Sequence, residues 1–78
     1  MKAKNKVPID SIMHRLKTMY PAYQFEIKHE SVSDIYFVTA HKNGKSISTL
    51  QVSSKVPMDE FWERVMIWMK PVVSYYHG

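Results

Sequence analysis

The chain has 78 residues, a formal net charge of +4 and no cysteine. That length makes one domain with little core to spare, because such a chain buries only about 60% of its unfolded surface. Without cysteine there is no disulfide framework and no thiolate metal site, which fits a reducing cytoplasm, and no apolar run approaches the ~20 residues of a membrane-spanning helix.

Residues 1–7 carry Lys2, Lys4 and Lys6 with almost nothing apolar. They read as a flexible, solvated basic arm of the kind that can also lie along phosphates, ahead of a single domain spanning 8–78. Pro8 suits a first helical turn, where its missing N–H costs nothing. Ile9, Ile12, Met13 and Leu16 then recur at helical spacing, Asp10 favours the helix start, and Arg15 and Lys17 favour its end. Pro21 closes the element, so the spacing predicts a helix over about Ile9–Met19.

The stretch from Ala22 to Ser53 reads as an antiparallel three-stranded meander. In the first strand Tyr23, Phe25, Ile27 and His29 alternate with Gln24, Glu26, Lys28 and Glu30. Asn43-Gly44 between two alternating runs is a strong hairpin signal, because a type I′ turn needs positive φ at both central residues. A two-residue loop there sets Lys42 opposite Lys45. Counting outward without interruption pairs Phe37 with Leu50 and Ile35 with Val52 on one face. Ala40 with Ile47, Val38 with Thr49, and Tyr36 with Gln51 then share the other. A three-residue loop at Ser31-Val32-Ser33 would set Ile27 opposite Phe37 and bring the apolar side of the first strand onto the Phe37/Leu50 face. The middle strand, Ile35-Tyr36-Phe37-Val38, is apolar on both sides and carries no alternation of its own.

Ser53–Pro57 reads as a loop into a second helix. Asp59, Glu60 and Glu63 complement its positive N-terminus, and Phe61, Val65 and Trp68 form its apolar stripe, with Met58, Trp62 and Met69 beside them. Lys70 before Pro71 is expected to end or kink it. The tail Val72–Tyr76 either continues a kinked helix or extends and packs; it is too apolar for a free end and is expected to dock on its own domain or on a second copy.

This order predicts an α+β two-layer sandwich: α-β-β-β-α, with both helices on one face of the sheet. Ile12, Leu16, Phe61, Val65 and Trp68 are expected to meet Phe25, Ile27, Phe37, Leu50 and Val52. The other face stays open, with Tyr36, Val38, Ala40 and Ile47 at its centre.

The chemistry-bearing residues suggest no reaction. His14, His29, His41 and His77 form no HxH or HxxxH pair, so no metal or other cofactor is expected. Glu26 and Glu30 beside Lys28, and the acidic start of the second helix, are what solvated surfaces and helix dipoles produce. No nucleophile elbow and no glycine-rich phosphate loop is present.

The helix–three strands–helix order over Pro8 to Lys70 resembles the double-stranded-RNA-binding domain. In that family a basic N-terminus of the second helix grips phosphates, and the first hairpin loop enters the minor groove. Here that helix opens Met58-Asp59-Glu60, and the loop Ser31-Val32-Ser33-Asp34 has no basic residue, so the resemblance implies the topology and not the activity. A sheet can also enter a major groove. Lys28, Lys42 and Lys45, with Lys2, Lys4 and Lys6, would then hold phosphates, while Thr49 or Gln51 touches base edges. Glu26 and Glu30 on the same face oppose this, and arginine, the commonest reader of guanine, occurs only at positions 15 and 64.

The expectation is therefore a small, cytoplasmic, non-catalytic regulator that covers a protein partner with Tyr36, Val38, Ile47 and Thr49. Small inhibitors and adaptors carried by phages and other mobile elements share this architecture by analogy. A DNA- or RNA-binding regulator using the lysine-rich arm and hairpin is the alternative, and a homodimer sealed by the open face or the tail is a further candidate.

Overall fold

A computed structural model describes residues 9–75. It contains α1 (Ile9–Met19), β1 (Gln24–Glu30), β2 (Ile35–Lys42), β3 (Lys45–Ser53) and α2 (Met58–Tyr75), in the expected α-β-β-β-α order. The strands form one antiparallel sheet, β1-β2-β3, and both helices cover the same face. The arm residues Lys2, Lys4 and Lys6, Pro8 at the expected helix start, and Tyr76 and His77 at the other end lie outside the described residues.

α1 buries Ile12 and Leu16, one turn apart on its apolar stripe. It closes with the Tyr20 amide bonded to the Leu16 carbonyl at 2.8 Å, and the turn through Pro21 carries Tyr23 back into the core. Tyr20, Tyr23 and Phe25 cluster there with ring centroids 6.2 to 6.5 Å apart. α2 buries Phe61, Val65, Met69 and Val72. Of the two expected outcomes at Lys70, an end or a continuation through Pro71, the helix takes the second and runs to Tyr75. A proline at 71 forfeits only the bond to the Ile67 carbonyl, and Ile67 is an exposed residue where water can replace that donor. Burial of Val72 and partial burial of Val73 hold the last turns on the sheet.

The register departs from the expected one at two points, each by one residue. The first loop has four residues, 31–34. Asp34 adopts φ 59° and its amide bonds the Glu30 carbonyl at 2.8 Å, so Glu30 pairs with Ile35 and Ile27 with Val38. Aspartate is among the few residues that tolerate this left-handed conformation. The second hairpin does turn on Asn43-Gly44, with φ 55° and 79°, and pairs Lys42 with Lys45. A β-bulge then intervenes. His41 pairs with Ser46 and Ala40 with Ser48, leaving Ile47 as the extra residue.

Together these offsets turn β2 over. Tyr36, Val38 and Ala40 face the helices and are buried, while Ile35 and Phe37 lie on the opposite face, half-exposed. The expected core position of Phe37 is thus wrong. Tyr36 and Val38, expected at the centre of a contact surface, are core residues; the Tyr36 ring sits 5.6 Å from that of Phe61. The parities of β1 and β3 are as expected, with Phe25 and Val52 buried and Ile27 and Leu50 half-buried on the helix side. Trp68 is half-buried rather than central; its indole N–H donates to Ser48 Oγ at 2.9 Å.

Candidate partner-binding face

The face of the sheet away from the helices is built by the central row Ile35, Phe37, Thr39 and His41. Pairing sets Phe37 between Lys28 and Gln51, Ile35 between Glu30 and Ser53, and Thr39 between Glu26 and Thr49. No element among the described residues covers it. Its polar groups are largely paired with one another. Thr39 and Thr49 hydroxyls lie 3.2 Å apart, Lys28 Nζ is 3.5 Å from Glu26 Oε2, and His41 Nε2 is 3.7 Å from Glu26 Oε1. The centre is aromatic and aliphatic; the rim carries both signs of charge.

Of the four residues expected to bind a protein, only Thr49 lies on this face as described. Ile47 is the half-buried bulge residue, and Tyr36 and Val38 are inside. Phe37, Ile35 and His41 were missed because nothing in a doubly apolar strand distinguishes its sides. His41, which shares the parity of Phe37 and so was expected on the core side with it, faces outward for the same reason.

The lysines do not form one basic face among the described residues. Lys28 lies on the open face beside Glu26. Lys42 turns to the other side, where its ammonium lies 5.2 Å from the Tyr23 ring centroid, and Lys45 is its cross-strand partner. The second helix opens acidic, with Asp59 and Glu60 in its first turn.

One cluster brings histidine, aspartate and serine together. His29 Nε2 lies 2.8 Å from Asp34 Oδ1, and the Ser54 amide donates to the Asp34 carbonyl at 3.0 Å. The nearby Ser54 hydroxyl first, and His29 second, hold the Asp34 carboxyl below its ordinary range. Next to it the Ser33 hydroxyl donates to Glu30 and lowers that carboxyl too. The cluster ties the 31–34 loop to the residues after β3. The Asp34 carboxylate stands between Ser54 and the imidazole, so His29 is not placed to take the Ser54 proton. No three acidic or histidine side chains among the described residues group to hold a metal ion.

A second concave feature lies on the helix side of the sheet. An open groove of about 1060 Å³ runs between α2 and β3, lined by Leu50, Pro57, Ile67, Trp68 and Pro71, with Glu60, Glu63 and Arg64 along the helix. No helix among the described residues is long and apolar enough to cross a membrane. No protein family, curated protein or solved structure matches the chain.

Proposed function

We propose that the protein is a small non-catalytic binding module, an inhibitor or adaptor in kind, that acts in the cytoplasm by covering a protein partner with its open sheet face. The observation that supports this is Phe37, held with Ile35 in the middle of the central strand on a face that no described element covers. An aromatic anchor ringed by hydrogen-bonding groups is the usual make-up of an interface centre. The matching partner is a protein surface with an apolar centre and polar groups around it. The mixed rim of Glu26, Lys28, Glu30 and His41 suits such a surface better than a polyanion. Nucleic-acid binding, the alternative, has no single basic face to use among the described residues.

The test is a quantitative pull-down from the source cell with three baits: wild type, Phe37→Glu, and the control Val32→Glu at a turn position that is 92% exposed. A partner retained by wild type and Val32→Glu but lost with Phe37→Glu, at unchanged circular dichroism, supports the reading. Equal retention by Phe37→Glu sinks it. Losing a central aromatic anchor typically costs about 2 kcal/mol or more of binding, roughly thirtyfold in affinity.

A further inference from the structure

The two edges of the sheet differ. β1 is guarded by the alternating charges Glu26, Lys28 and Glu30, the usual protection against strand addition. β3 has no charged residue between Lys45 and Lys55, and after the bulge its run Ser48–Ser53 is regular. Its outer backbone edge is unpaired within the described sheet, because β3 is the last strand.

The groove described above is walled by Leu50 of this edge strand and by α2. Arg15 lies 5.3 Å from the Trp62 ring centroid and the Tyr20 hydroxyl lies 3.8 Å from Met66 Sδ, so Trp62 and Met66 mark the side of α2 that faces α1. Trp68 faces β3 through Ser48. The flank carrying Arg64, Ile67 and Pro71 is therefore turned away from α1, on the side of α2 where the groove meets Leu50 of β3. Ile67 is 62% exposed on it.

We infer that this edge and flank are the seam of a symmetric homodimer, in which β3 pairs antiparallel with β3 of a second copy and α2 packs beside its mate. Two features select a second copy over another occupant. The first is charge. Glu63 and Lys70 stand seven residues apart on one line of α2, and the intervening flank centres on Ile67. A two-fold axis near Ile67 sets each Glu63, at the rim of the groove, beside the other chain's Lys70, so these two charges are paired across the axis. The second is spacing. α2 touches β2 through Phe61 and Tyr36, and β3 through Trp68 and Ser48, so it lies over the boundary between them. With strands ~4.8 Å apart, a dyad just outside β3 leaves the two α2 axes roughly 10 Å apart, the ordinary distance for packed helices. Leu50, lining the groove in the middle of the regular run, comes close to the axis. The product is a six-stranded sheet with four helices on one face and both Phe37 faces free.

Sedimentation equilibrium of the full chain tests this. Wild type is expected at twice the 9.2 kDa chain mass. Ile67→Lys, at an exposed position, is expected to weaken association at least tenfold with unchanged circular dichroism. Glu63→Lys is expected to do the same, and Glu63→Lys combined with Lys70→Glu to restore it; this pair decides the matter if Ile67→Lys fails to fold. Phe37→Glu is expected to leave the dimer intact, which separates this seam from the proposed partner face. A wild type that stays monomeric up to roughly 1 mM overturns the inference. So does a dimer indifferent to Ile67 and Glu63, or one broken by Phe37→Glu.

Discussion

The two sides of β2 differ little in composition and greatly in surroundings. Tyr36, Val38 and Ala40 lie under the helices, with Val38 and Ala40 at 0% exposure; Ile35, Phe37 and Thr39 lie half-exposed on the other face. Burying either row removes a comparable apolar area from water, so the hydrophobic effect alone barely chooses between them. The choice falls to geometry at the strand ends: a fourth loop residue before β2 and one bulged residue after it. Small, local features of this kind set which apolar surface becomes core and which remains available to a partner.

The sharpest way to break the comparison is to charge each side in turn. Val38→Asp buries a carboxylate with no partner and leaves a poorly filled site, costing roughly 4–5 kcal/mol, close to the whole stability of a small domain. It is expected to be unfolded by circular dichroism at room temperature, whereas Phe37→Asp is expected to stay folded. Truncation gives a graded version. Tyr36→Ala should cost about 3 kcal/mol in urea unfolding, in the range for buried aromatics, and Phe37→Ala about 1 kcal/mol or less. The opposite order would mean that β2 presents its other face to the helices.

Smaller effects probe the turns that orient the strand. Gly44 has φ 79° and open space where a Cβ would stand, so Gly44→Ala should cost about 1 kcal/mol from backbone strain alone. Thermal unfolding will read that as a lowered midpoint. At the other hairpin, Asp34→Asn keeps a residue that tolerates positive φ but removes the titration. The Asp34 pKa is depressed in the folded state, so its contribution is present above the ordinary value of 3.8 and is lost as pH falls through the folded value. Wild type should therefore lose more stability than the variant between neutral pH and pH below 3.8. Urea midpoints across that range check it, and parallel curves would show that the cluster contributes nothing to folding.

The element order, the Asn43-Gly44 turn, the helix α1 and the inward residues of β1 and β3 were all legible from residue type and spacing. The expected register failed at β2 for an instructive reason. Both hairpins were counted one residue short, and the two offsets cancelled between β1 and β3. The outer strands therefore agreed with each other while the strand between them was inverted. Nothing in the residue types around Asp34 marks it as the left-handed last member of the loop, with φ 59°. Ser46-Ile47-Ser48 carries no glycine or charge to announce a bulge. The candidate face inherited the error directly: Tyr36 and Val38 moved into the core, and Phe37 took their place outside.

What the sequence determined by itself is everything that short-range physics encodes. Proline and charge preferences bound the first helix, period-2 alternation marks the outer strands, and an Asn-Gly pair favours positive φ. Only the tertiary structure decided which side of β2 became core, that α2 continues past Pro71, and that a groove forms between α2 and the edge strand β3. Those outcomes depend on how separate elements meet. A strand apolar on both sides, or a helix whose one lost hydrogen bond faces water, is locally indifferent, and packing against its neighbours breaks the tie.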